Sequence, residues 1–257
     1  MNAQIALAVI GGTGLYALSN LGDVRTQQPE TPYGTTSAPI RIGRMAGAQV
    51  AFLARHGESH NTPPHRINYR ANLWALQKLG VQRVLAINSV GGISEGFGPR
   101  VIALPDQLID YTSGREHTFS DGVGSGDVQH ADFGDPYSAS LREVVLAAAD
   151  SIGVSIIDGG CYGATQGPRL ESRAEIARLQ RDGCDLVGMT GMPEAGLARE
   201  LGLDYACLAL VANWAAGCGL AEGEQTPVIT MDDVLANMAA ATAPLPDLLA
   251  ALVNQLS

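Results

Sequence analysis

The chain has 257 residues, 46% of them hydrophobic, which is enough to bury the core of one α/β domain or of two small ones. Its 16 Lys and Arg against 26 Asp and Glu give a formal charge of −10. That balance argues against non-specific binding to nucleic acid or to an anionic membrane, so any phosphate site must be built locally.

Residues 4–10 (QIALAVI) read as a buried strand ending at Gly11-Gly12-Thr13-Gly14, and residues 49–54 (QVAFLA) as another ending at Arg55-His56. Between them, ALSNLGDVRTQQPETPYG offers no strand directly after the glycine turn. Residues 67–80 carry Ile67, Leu73, Leu76 and Leu79 at helical spacing and stop at Gly80. Residues 83–87 form a strand running into Asn88-Ser89-Val90-Gly91-Gly92, and residues 101–110 look like strand material. Residues 114–137, rich in Gly, Asp, His and Ser, read as a long loop. Then follow a helix over 138–153, a strand over 155–164, a helix over 171–182, a short strand over 185–189, a helix over 193–202, a strand over 204–212, and mostly helix over 230–256. Alternation of this kind predicts an α/β fold with a largely parallel central sheet flanked by helices, in a single domain spanning 1–257. In such sheets sites gather at the carboxyl ends of strands, where Thr13, Arg55-His56, Ser89, Met189-Thr190 and Asn213 fall.

Cys161, Cys184, Cys207 and Cys218 form no C-x-x-C pair and have no clustered histidines, so they read as reduced thiols in or beside the core rather than zinc ligands. Lys78 is the only lysine and is expected on an exposed helix face, which removes P-loop and pyridoxal-phosphate chemistry. The N-terminus lacks a basic region of the signal-peptide kind, and the apolar stretch around 205–220 is too short and too interrupted for a bilayer span. These features lead to the expectation of a soluble cytoplasmic protein.

Gly12-Thr13-Gly14-Leu15-Tyr16-Ala17 matches the dinucleotide fingerprint G-x-G-x-x-A, but the strand that should follow is not evident; a glycine turn with the Thr13 hydroxyl still suits a phosphate. Arg55-His56-Gly57 matches the opening of histidine phosphatases. Those enzymes need a second histidine late in the chain, and here His56, His60, His65, His117 and His130 are the full set. A structural Arg-His pair is one alternative. The other is phosphate holding, with arginine supplying a bidentate fork and histidine a donor.

Seven motifs in order, GGTGLY, LARHG, NYRANLWAL, NSVGGI, DQLIDYTSGR, TQGPRLESRAEI and VGMTGMPEAGLARE, resemble the methylthioadenosine phosphorylase branch of the purine nucleoside phosphorylases. The resemblance implies a pentosyltransferase, commonly trimeric, in which inorganic phosphate attacks C1′ of a purine nucleoside, with no metal or organic cofactor. Carried over by motif, Thr13, Arg55, His56, Ser89, Val90 and Thr190 line the phosphate site, and Met189 lies against the ribose. Leu170 and Glu171 border the base, and His130 reaches a neighbouring subunit's site. Leu170 stands where the family has an aromatic residue.

The base segment departs from the family. Where methylthioadenosine phosphorylases carry D-x-D, this chain has Asn213-Trp214-Ala215. An asparagine both accepts and donates, so Asn213, expected to act catalytically at N7, fits a 6-oxopurine better than a 6-aminopurine. Met231, Val234 and Leu235, at helical spacing, read as an apolar wall suited to a 5′-methylthio group. The expected substrate is thus 5′-methylthioinosine. Methylthioadenosine and the general 6-oxopurine nucleosides are the alternatives, and an NAD-dependent oxidoreductase is the alternative from another class.

Overall fold

The computed structural model describes residues 4–12, 21–121, 128, 130–219 and 229–256. Its strands are β1 (Ile5–Gly11), β2 (Gly22–Gln27), β3 (Ile40–Met45), β4 (Ala48–Ala54), β5 (Arg83–Gly92), β6 (Ile102–Leu104), β7 (Gln107–Asp110), β8 (Ile157–Asp158), β9 (Cys161–Ala164), β10 (Leu186–Gly188) and β11 (Asp204–Trp214). Its helices are α1 (Tyr69–Lys78), α2 (Ala139–Ser151), α3 (Arg173–Arg181), α4 (Glu194–Glu200), α5 (Met231–Thr242) and α6 (Leu245–Leu256). The strands form one sheet along the path β2-β3-β4-β1-β5-β10-β9-β7, with β11 on the opposite edge of β5, β6 on β11 and β8 on β6. The fold is the expected α/β class, with a large mixed central sheet flanked by helices.

The central strands are apolar on both faces because both faces are covered. Alternation sorts their side chains into two cores. On one side, Ala8 and Ile10 of β1, Val84 and Ala86 of β5, and Cys207 and Ala209 of β11 pack with Leu73 and Leu76 of α1 and Leu197 of α4. On the other, Leu7 and Val9, Leu85 and Ile87, and Leu208 and Leu210 meet Leu141 and Val145 of α2, Met238 of α5 and Leu249 and Leu252 of α6. The helical stretch Met231–Leu256 is long and apolar enough by composition to cross a membrane. A break at 243–244 divides it into α5 and α6, and α6 buries Leu245, Leu248, Leu249, Leu252 and Val253 against the sheet layer.

Three differences from the sequence expectation have physical causes. β2 is a strand, although its segment reads as none. It is a polar edge strand, antiparallel to β3 and exposed along nearly its whole length, so it shows no apolar pattern. It is not the parallel crossover strand of a dinucleotide fold. The run 101–110 divides into β6 and β7 around Pro105-Asp106, and 155–164 divides into β8 and β9 at Gly159 and Gly160, both at positive φ. β5 and β11 extend past the apolar runs, through Gly92 and Trp214, so Ser89 and Asn213 lie within strands rather than after them.

β5 also forks. Its first half pairs in parallel with β1 from Val84 to Ala86, and its end pairs antiparallel with β10 at Gly91 and Gly92. Between those ladders, residues 87–90 have no strand partner on that edge among the described residues. On the other edge β11 runs beside β5 throughout, with a register shift at Ala212, between Val211 and Asn213. Such an irregularity re-aims the side chain that follows it.

Candidate active site

The fork opens into a cavity of about 700 Å³. Its walls come from the ends of β1 and β4 (Gly12, Arg55, His56), the stretch of β5 left unpaired on one edge (Ser89, Val90), the 187–190 segment, and the end of β11 with the residue after it (Asn213, Ala215). Of the residues expected at the site, Arg55, His56, Ser89, Val90, Thr190, Met189, Asn213, Ala215, Leu170, Glu171, Met231 and Val234 all line it.

Four expected residues are not among the lining. Thr13 lies outside the described residues. Trp214 is turned away by strand alternation between Asn213 and Ala215, and stacks near Gly98 and Gly219 instead. Leu235 is 50% exposed on α5 and does not reach the cavity, and Ile229 takes its place beside Met231 and Val234. His130 is exposed and borders a separate surface depression with Asp132, Arg199 and Glu200, so it contributes nothing to this chain's own cavity.

Arg55 has a different role from the expected fork around phosphate. Its guanidinium is buried, and its fork closes on Glu194, with Nε donating to Oε2 at 2.8 Å and Nη2 to Oε1 at 2.8 Å. Nη2 also donates to Asn88 Oδ1 at 3.0 Å, and Nη1 donates to the Ile87 carbonyl, on the unpaired edge of β5, at 3.1 Å. Tyr205 OH adds a third donor to the carboxylate, at 2.9 Å from Oε1. Burial alone would pull the Arg55 guanidinium down, but the Glu194 carboxylate outweighs it and holds the group firmly protonated. One Nη1 hydrogen remains for the cavity, on the side facing Gly12, whose Cβ would stand 3.8 Å from Nη1.

Asn88 carries the network onward. Its Nδ2 donates to Thr190 Oγ1 at 3.2 Å, which fixes that hydroxyl as an acceptor and leaves its own hydrogen to donate elsewhere. His56 sits inside the turn that leaves β4, which Gly57 completes at φ +80, and its Nδ1 stands 2.8 Å from the Thr62 carbonyl oxygen. Asn213 Nδ2 donates to the Trp214 carbonyl at 2.7 Å, so Oδ1 and the second Nδ2 hydrogen are what the amide can offer a ligand.

Sequence reasoning missed Glu194, Asn88, Tyr205 and Arg115. Arg115 is 8% exposed and clamps two cavity segments together. It donates to the carbonyls of Met189 at 2.8 Å and Met192 at 2.6 Å on one side, and of Gln166 at 2.8 Å on the other. Glu194 stands in the first turn of a helix, where an acidic residue is unremarkable, and only its total burial marks it out. Among the described residues no group of three or more His, Cys, Asp or Glu gathers as a metal site would need.

The Arg55, Ser89 and Thr190 donors and the oriented Asn213 amide thus line one cavity together with the apolar Val90, Val187 and Met189. The chain belongs to the Phosphorylase superfamily, whose profile matches residues 6–254. It is 64% identical over 251 residues to a probable S-methyl-5'-thioinosine phosphorylase of Xanthomonas campestris pv. campestris, covering 98% of each chain. It is 44% identical over 229 residues to a probable 6-oxopurine nucleoside phosphorylase of Thermococcus kodakarensis, covering 88% of this chain and 85% of that one. The methylthioadenosine phosphorylase of Schistosoma mansoni in complex with adenine superposes with a TM-score of 0.89 at 30% identity, covering 98% of this chain and 92% of that one.

The Glu194 pair generates a stability test. Glu194→Ala leaves a buried guanidinium uncompensated and is expected to cost about 3–5 kcal/mol, measured by urea denaturation. A loss under about 1 kcal/mol, the range of exposed pairs, would show that Arg55 is solvated.

Proposed function

We propose that the protein cleaves 5′-methylthioinosine with inorganic phosphate, giving hypoxanthine and 5-methylthioribose 1-phosphate, a purine-salvage reaction. The observation that carries the base assignment is the Asn213 amide, pinned by the Trp214 carbonyl beside Ala215. A carbonyl only accepts, so the amide must keep Nδ2 toward Trp214. In that orientation Oδ1 accepts from N7–H and the second Nδ2 hydrogen meets O6. A 6-amino group would put donor against donor there, and flipping the amide to correct it would break the bond to Trp214. The name carried by the 64% identical Xanthomonas relative supports the same substrate.

In the proposed reaction Arg55 Nη1, Ser89 and Thr190, with Thr13, donate to phosphate beside the Val90 backbone. His56 stands against the same anion. Met189 packs on the ribose, and Leu170 and Glu171 border the base. Ile229, Met231 and Val234 form the 5′ wall. A phosphate oxygen bonds to C1′ as the C1′–N9 bond breaks and its electron pair moves onto the purine. Asn213 stabilises the departing purine at N7. HPO₄²⁻ brings one proton, the ester leaves as a dianion, and the purine gains one proton, so charge and atoms balance. Phosphate is a co-substrate, and no metal or organic cofactor enters the proposal.

Assembly as a cytoplasmic homotrimer belongs to the same proposal. Leu170 and Met231, at 52% and 66% exposure, form an apolar rim that a neighbouring subunit would cover. His130, exposed and away from its own cavity, would then complete a neighbour's. Sedimentation velocity should give a trimer, and a monomer active at assay concentration would end this part of the proposal.

Substrate comparison tests the 5′ wall. Burying an unpaired hydroxyl costs about 1–3 kcal/mol, so methylthioinosine should exceed inosine in kcat/KM by about 5- to 150-fold. Equal efficiencies would favour a general 6-oxopurine phosphorylase.

The base preference has its own test. Methylthioinosine should exceed methylthioadenosine by a similar margin, since one buried mismatch costs about 1–3 kcal/mol. Asn213→Asp should lose methylthioinosine cleavage, and adding Ala215→Asp should restore cleavage of methylthioadenosine. An unchanged base preference in Asn213→Asp would overturn the role of Asn213.

A further inference from the structure

The proposed phosphate wall is a set of donors: the remaining Arg55 Nη1 hydrogen, the exposed Ser89 hydroxyl and the Thr190 hydroxyl, already held as an acceptor by Asn88. His56 is the exception. Its Nδ1 lies 2.8 Å from the Thr62 carbonyl oxygen, which can only accept, so Nδ1 carries a hydrogen. Burial is the main force on the ring, and together with the nearby Arg55 and His60 it outweighs the support of the Thr62 carbonyl. The pKa falls to about 4, and the ring is neutral near pH 7. A neutral imidazole has one N–H. Nε2 therefore carries a lone pair, on the ring edge that faces Gly12, whose Cβ would stand 3.6 Å from Cδ2 and 3.9 Å from Nε2. A lone pair at this nitrogen would accept from a bound anion, where the sequence suggests a donor.

An acceptor among donors distinguishes oxyanions by protonation. A fully ionised tetrahedral dianion offers only acceptors and would set an oxygen lone pair against Nε2. Monohydrogen phosphate has one P–OH and can donate it.

We infer that the site takes phosphate as HPO₄²⁻, with its P–OH donating to His56 Nε2, and that His56 thereby selects phosphate over proton-free dianions such as sulfate. This rests on the phosphorylase reading above and adds to it the group that receives the P–OH and the anion selectivity that follows. The competing arrangement is an imidazolium, raised by the bound dianion and donating from Nε2. It would welcome sulfate as readily as phosphate.

The two arrangements separate in one experiment on the full-length enzyme. Sulfate is titrated near neutral pH as an inhibitor against phosphate, with methylthioinosine as substrate. Its Ki is expected at least about tenfold above the KM for phosphate, the ratio that 1.4 kcal/mol of mismatch gives. In His56→Gln the side-chain amide presents N–H as readily as C=O, and the ratio should fall toward one. A wild-type ratio near one, or a ratio unchanged in the variant, overturns the inference. Should His56→Gln fail to fold, nitrogen NMR of the wild-type ring decides. A neutral ring protonated at Nδ1 with phosphate bound supports the inference, and an imidazolium or a proton on Nε2 overturns it. If no nucleoside is cleaved, the phosphorylase reading fails, and calorimetric binding of phosphate against sulfate still reads the anion preference.

Discussion

The site depends on one constraint in the sheet: on the edge of β5 away from β11, no single strand covers its whole length. β1 covers the first part and β10 the last, running the other way. A strand edge left unpaired in the interior has backbone groups that must be satisfied. Here Arg55 supplies a donor to the Ile87 carbonyl, and the cavity takes the space where a neighbouring strand would have lain. The same interruption lets Ser89 face outward from the middle of a strand that is otherwise buried.

Satisfying that edge with a guanidinium creates a second requirement, since a buried cation needs a partner. Glu194 meets it from the first turn of α4, and Tyr205 from the start of β11 completes the carboxylate's bonding. β4, β5, α4 and β11 are thus tied at one point under the cavity floor. Arg115 ties the 165–166 and 189–192 segments at a second. The cavity walls are held by polar side chains from below, while their upper surfaces remain free for ligand.

Much of the fold was legible because the central strands are covered on both faces and read as unbroken apolar runs. β2 was not, because an exposed edge strand needs no apolar residue and GDVRTQ has one valine. Strand ends were misjudged at Ser89 and Asn213 because pairing with β10 and β11 continues through polar residues that look like turns. At the site, membership was easier to read than role. The position of Arg55 and His56 after β4 marked them for the cavity, yet their partners decide what they do. Glu194 is 139 residues from Arg55 in the chain, and no local pattern announces it. Thr62, six residues after His56, is close enough in sequence to be noticed, but a backbone carbonyl leaves no trace in residue type. The stripe Met231, Val234, Leu235 was read one residue too far, since a helix face curves away from a cavity that ends at Val234.

The closed Arg55–Glu194 pair also makes the cavity electrically quiet. Arg55 is the only Lys or Arg among the described residues that line it, and its charge is already cancelled. The surrounding protein carries a formal charge of −10. In the proposed binding mode a nucleoside that still bears a 5′-phosphate would bring its charge against the Ile229, Met231 and Val234 side chains, which offer it none of the hydrogen bonds that the phosphate wall offers the co-substrate. Neutral nucleosides incur no such penalty.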